Sequence, residues 1–156
     1  MDKDKMDRLL FENEVEQRVR RAVTECERFG VLVRPTGKYG VVYDEDRGQF
    51  VVDQSAVCPL GALLLTERAA VARVASRALV GAARDRRKKQ DTDLQVVAYH
   101  AYHFVVRVLG VNFNWVSAFT AGFDGHTKYL TDTAAKLLRR YRAVYDLGLA
   151  LRKAAG

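Results

Sequence analysis

Between Asp93 and Leu109 the chain is apolar on almost every side. Leu94, Val97, Ala98, Ala101, Phe104, Val105 and Val108 recur at helical spacing, and Val106 and Leu109 flank them. Whichever way such a helix is turned, apolar side chains meet water unless other elements cover them. It therefore belongs at the centre of a packed domain, and the rest of the chain must supply the cover. With 156 residues, 49% hydrophobic and 29% charged, the chain has the size and balance of one globular domain rather than of a disordered segment.

The cover is legible as amphipathic helices and a few short strands. From Asp4 to Phe29 the residues Phe11, Val15, Val19, Ala22, Cys26 and Phe29 share one helical face, while Glu12, Glu16, Arg20, Arg21 and Glu27 fall off it; Gly30 ends the run. Val31 to Arg34, Tyr39 to Asp44 and Gln49 to Asp53 are β-rich runs separated by Pro35, Gly37 and the Asp44 to Gly48 turn cluster. They predict a small antiparallel hairpin or a three-stranded meander. Pro59, after Cys58, suits the first turn of a helix, where its missing N–H costs nothing. Leu60 to Ala83 then reads as one bent helix or two short ones, with a break near Gly61 to Thr66.

Asp91, Thr92 and Asp93 are capping residues for the central helix, and Gly110 stops it. Asn112 or Asn114 caps a short helix through Phe123, and Gly122 to Gly125 reads as a tight turn. A last helix, from Thr127 or Thr131 to Lys153, places Leu130, Ala134, Leu137, Leu138, Tyr141, Val144, Tyr145 and Leu149 on one face, with Lys136, Arg139, Arg140, Arg142 and Asp146 opposite. The pattern predicts a single, mostly helical α+β domain: an N-terminal helix over residues 1–30, a β region over 31–57 with its sheet near residues 31–53, and a helical bundle over 58–156, about five helices in all.

No apolar run has the length of a signal sequence or a membrane span, and two cysteines, Cys26 and Cys58, are too few for a disulfide scaffold. The expected setting is the cytoplasm, away from membranes. The formal charge of +7 is unevenly placed. Residues 1–30 hold seven basic and eight acidic side chains, whereas residues 59–90 hold eight against two and residues 127–156 seven against two, so these two segments supply +11.

Cys58-Pro-Leu-Gly-Ala-Leu, Trp115-Val-Ser-Ala-Phe, Gly122-Phe-Asp-Gly125 and Tyr145-Asp-Leu-Gly148 together resemble small bacterial proteins of unassigned activity that pair a Cys-x-Leu-Gly-Ala-Leu helix start with a later Phe/Gly turn. The resemblance covers the last two thirds of the chain. It implies a bacterial source and no particular chemistry.

Chemistry must then be sought residue by residue. A thiol at a helix N-terminus feels the helix dipole, which favours the thiolate, so Cys58 is a candidate nucleophile with His126 or His103 as base and Asp124 as orienting carboxylate. The plainer account makes Cys58 a small buried residue and Asp124 the holder of its own turn. His100 and His103, one turn apart, could share a metal, but Arg107 on the same stripe repels a cation and suits a carboxylate or phosphate better. Trp115 and Phe119, four apart, read as core.

The basic clusters are the strongest functional clue. If the helix entered at Leu60 continues to its end, Arg73, Arg77, Arg84, Arg87 and Lys88 share one sector, with Arg86 and Lys89 beside them. With Lys136, Arg139 and Arg140 they would form an anion-binding or nucleic-acid-binding surface directed at the phosphate backbone. No zinc-finger, basic-zipper or RNA-recognition pattern is present, and no glycine-rich phosphate loop follows a strand, so neither ATP nor NAD is expected. The reading is a non-enzymatic interaction or adaptor module without a cofactor. It binds a protein partner or itself through amphipathic and Arg-rich helix faces, with nucleic acid as the first alternative and a Cys58-dependent enzyme as the second.

Overall fold

Asp2 opens the first element. In the computed structural model, which describes residues 2–36, 38–75 and 94–155 with the side chains of 94–100 excepted, its carboxylate accepts the Lys5 amide at 2.8 Å. It thereby caps α1 (Lys3–Arg28). Val15, Val19, Ala22 and Cys26 are the buried residues of α1, at the spacing of one helical stripe. Phe11 and Phe29, expected on that stripe, are 43% and 71% exposed.

Of the hairpin or meander expected, the hairpin is the arrangement found. β1 (Leu32–Val33) lies parallel to β4 (Ala56–Val57), while β2 (Val41–Asp44) and β3 (Gln49–Val52) form an antiparallel hairpin with Val41 opposite Val52. Asp44 holds the hairpin turn by accepting the amides of Asp46 and Arg47. Tyr43, Phe50 and Phe104 form an aromatic trio with centroids 4.9–5.7 Å apart, which seats the hairpin on the later helix α4 (Leu94–Leu109).

The bend expected after Leu60 is real and gives two helices, α2 (Pro59–Thr66) and α3 (Arg68–Val74). Thr66 Oγ1 donates to the Ala62 carbonyl at 2.9 Å, and Glu67 between the helices leaves helical geometry at φ −89°, ψ 58°. The centre of the molecule is α2. Leu60, Ala62 and Leu63 have no exposed surface and Leu64 almost none. Of the described side chains of α4, Ala101, Phe104, Val105, Val108 and Leu109 are buried and Arg107 is exposed. α2 packs against α1, the hairpin, β4, α3 and α4, which bury it from Pro59 to Leu64. Arg18 ties these parts together by donating to both Glu67 carboxylate oxygens and to the Val108 carbonyl.

Two further corrections concern the C-terminal half. Gly122, Phe123 and Asp124 belong to the last turn of α5 (Phe113–Asp124), and the turn is the left-handed cap at Gly125, φ 74°. The last helix is broken into α6 (Lys128–Asp132) and α7 (Ala135–Ala154), because Thr133 and Ala134 are extended. Seven helices thus occur among the described residues instead of about five, and the α+β class stands. No single described helix is long and apolar enough to cross a membrane.

α5 and α7 cross with their backbones in direct approach. A Cβ on Gly122 would meet the Tyr145 carbonyl oxygen at 2.0 Å, and one on Gly148 would meet that of Phe119 at 2.3 Å. Trp115, Phe119 and Phe123 stack along the same helix, with neighbouring centroids 5.2 and 6.5 Å apart. Trp115 and Phe119 are core, as their spacing predicts.

Candidate functional site

Because α7 takes up the side of α5 that carries Trp115, Ala118 and Gly122, the opposite stripe is left for other use. Phe113, Val116, Ser117, Thr120 and Asp124 follow one another at three, one, three and four residues, so they share that stripe. All five line a pocket of about 760 Å³. Leu60, Phe119, Ala121 and Phe123 give it an apolar lining, and Tyr102 and His103 from α4, Lys38 and Tyr39 from the loop before β2, Cys58 and His126 complete it.

The loop wall is fixed from within. Thr36 Oγ1 bonds both the amide and the carbonyl of Lys38. The Tyr39 carbonyl accepts the Cys58 amide at 3.3 Å and presses on the first turn of α2, where a Cβ at position 61 would lie 2.1 Å from it. Gly61 is therefore the residue that lets the loop close over α2. At the other end, His126 follows the Gly125 cap, with its amide bonded to the Ala121 carbonyl at 2.8 Å.

Cys58, Asp124, His126 and His103, named from the sequence as a nucleophile with its base and carboxylate, are thus brought to one pocket. Their electrostatics are not those of a thiolate site. Cys58 is 8% exposed, and burial pushes its thiol up to about 12; the amides of the α2 N-terminus pull the other way and lose. The helix end favours the thiolate, but at Cys58 burial outweighs it. Sγ accepts the Gly61 amide at 3.4 Å, and among the described residues no hydrogen bond joins it to His126 or Asp124. Burial raises Asp124 from its ordinary value, with His126 and Arg152 opposing. Tyr39 is raised further, first by burial and then by Cys58, Tyr102 and Asp124, so its hydroxyl stays protonated. Cys26, away from the pocket, is likewise pushed up to about 11 by burial.

The other named residues are scattered. Arg73 lies in a groove between α1 and α3 with Arg18, Arg21 and Arg68, but also with Glu14, Glu25 and Glu67. Ala75 is extended, so α3 ends at Val74. Arg77, Arg84, Arg86, Arg87, Lys88 and Lys89 lie outside the described residues, as does the side chain of His100. Lys136 and Arg139 are exposed on α7, and Arg140 binds Glu12 at 2.7 Å while covering the Tyr141 ring. Among the described residues no group of three or more His, Cys, Asp or Glu could hold a metal ion.

Sequence reasoning missed Lys38, Tyr39, Tyr102, Ser117 and Thr120. A signal existed for two of them. Ser117, Thr120 and Asp124 repeat at helical spacing along an otherwise apolar helix, which marks a polar stripe facing something other than core. No local signal existed for Lys38 and Tyr39, whose place depends on the approach of the loop to Gly61. No protein-family model, curated protein or solved structure matches the chain.

Proposed function

We propose that this domain is a non-enzymatic binding module whose pocket receives a small organic molecule with an apolar body. The observation that carries the reading is the convergence on one pocket of about 760 Å³ of five aromatic side chains, Tyr39, Tyr102, Phe113, Phe119 and Phe123, with a few polar groups among them. That size and mixture suit a ligand held by burial and oriented by a few hydrogen bonds. Catalysis by Cys58 would need a thiolate, and burial keeps this thiol protonated at neutral pH. Nucleic-acid binding has less support, since Arg140 is already paired with Glu12 and Arg73 sits among three glutamates.

Titration with the uncharged fluorophore phenylnaphthylamine tests the pocket. Saturable enhancement of its emission is expected for the native protein, and its loss is expected in Ser117→Trp, where the indole fills the space, provided circular dichroism shows the variant folded. Unchanged binding in the folded Ser117→Trp protein would move the ligand site elsewhere.

A second reading, self-association, draws on α1. Met6, Leu9 and Leu10 are 44%, 41% and 60% exposed, and they sit on the side of the helix turned away from the buried stripe. Lys5 and Asp7, of opposite sign, flank them on the helix surface, a mixture that two copies of one helix can complement. Light scattering behind size-exclusion chromatography should then give a dimer that Leu10→Lys converts to a monomer; a native monomer at micromolar concentration removes this reading.

A further inference from the structure

Resting on the pocket as a ligand site, we infer that its ligand is an organic acid, an apolar body bearing one carboxylate or comparable anion, and that the Lys38 ammonium receives the acid group. The hydrogen-bonding inventory of the lining carries this. Lys38 can only donate. The hydroxyls of Tyr39, Ser117 and Thr120 can donate as well as accept. Asp124 alone offers an ionised acceptor without a donor. An acid group on the ligand therefore finds one fixed cation, Lys38, and hydroxyls able to donate to it among the lining residues.

Charge points the same way. Lys38 carries a fixed positive charge, and Asp124 is the one acidic residue of the lining. Asp124 also has Arg152 close enough to act on its carboxylate, and Arg152 is held there by its bond to the Phe123 carbonyl at 3.0 Å. The pocket's single negative charge is therefore already opposed by a cation from α7, whereas no hydrogen bond or ion pair occupies the Lys38 side chain among the described residues. The aromatic walls select against small hydrated anions such as inorganic phosphate, because such an ion would leave the apolar lining empty. The chemistry that fits both halves is an aromatic or aliphatic acid.

The test compares two probes on the whole protein: anilinonaphthalene sulfonate, which carries an anion, and phenylnaphthylamine, which has the same ring system without it. The sulfonate should bind about tenfold tighter or more, the scale of a charge-assisted hydrogen bond. Lys38→Met, which keeps the apolar stem and removes the charge, should abolish that preference and leave the uncharged probe unaffected. Lys38→Gln provides a second variant if the first fails to fold. Equal binding of the two probes, or a preference that survives loss of Lys38, overturns the acid assignment while the pocket stands. Failure of both probes to bind overturns the assignment together with the ligand-site reading beneath it.

Discussion

Replacing Gly122 by alanine tests the backbone approach on which the pocket wall depends. In an ordinary helix this change is favourable by about 1 kcal/mol, because alanine loses less conformational freedom than glycine. Here the new methyl would stand 2.0 Å from the Tyr145 carbonyl oxygen, 2.9 Å from its carbon and 3.0 Å from the Leu149 nitrogen. Every one of those atoms is backbone, so no rotamer change relieves the clash, and α5 and α7 must part by about an ångström or more to reach ordinary contact. Overpacking of this kind costs about 1–3 kcal/mol, and an obstruction made of backbone belongs at the upper end. Set against the propensity gain, a net loss of about 2 kcal/mol follows, a fall in Tm of about 4–8 °C for a chain of this size.

Urea unfolding followed by circular dichroism reads the loss directly. Gly148→Ala should behave alike, since its methyl meets the Phe119 oxygen at 2.3 Å and the Phe123 nitrogen at 2.8 Å in the same crossing. Once one methyl has separated the helices the second has less to push against, so the double variant should lose less than the sum of the two. If Gly122→Ala is as stable as the native protein or more so, helix propensity has won, and the reasoning from direct backbone approach is refuted.

Iodoacetamide should label Cys58 and Cys26 slowly at neutral pH and quickly in denaturant, because burial pushes both thiols up, to about 12 and about 11; fast labelling of Cys58 alone would contradict its burial. The same shifts fix a pH dependence. A thiol whose folded pKa lies above its unfolded value of 9.0 contributes stability that is whole below pH 9.0 and lost as the pH climbs through the folded value, so the urea midpoint should fall from pH 9.0 upward, and less steeply in Cys58→Ala. Leu63→Ala removes a fully buried side chain from the centre of α2 and should cost about 2–5 kcal/mol in urea unfolding; a smaller loss would mean that α2 is not the hub. Arg18→Met leaves Glu67 and the Val108 carbonyl without their shared donor, a loss of about 1–3 kcal/mol measurable in the same way, and an unchanged midpoint would show the triple contact to be idle.

Much of this architecture was legible from local rules, and those are the places where local physics decides. Cys58-Pro59, Asn112 and Gly125 mark helix ends because caps are settled within four residues of chain. The Val15, Val19, Ala22 and Cys26 stripe was legible because helical spacing alone assigns a face. The hairpin turn followed from Asp44 in the same way. Ser117, Thr120 and Asp124 also carried a readable signal, a polar stripe on an apolar helix.

What the tertiary structure alone decided is which surfaces meet. Strand propensity in Leu32 and Val33 says nothing of their partner, and that partner, Ala56 and Val57, is found only when α1 and α2 bury both valines. Periodicity marks α4 as apolar but does not rank it against α2, whose Pro59–Leu64 stretch is buried because six other elements close around it. Cys58 shows the limit most clearly. The sequence by itself places its thiol at a helix start, where the dipole favours the anion, while the depth of burial that overrides the dipole is a property of Tyr39, Leu60 and the loop folded over Gly61. Helix ends and faces are determined by neighbours along the chain, whereas burial, and with it the chemistry of the pocket, is determined by neighbours in space.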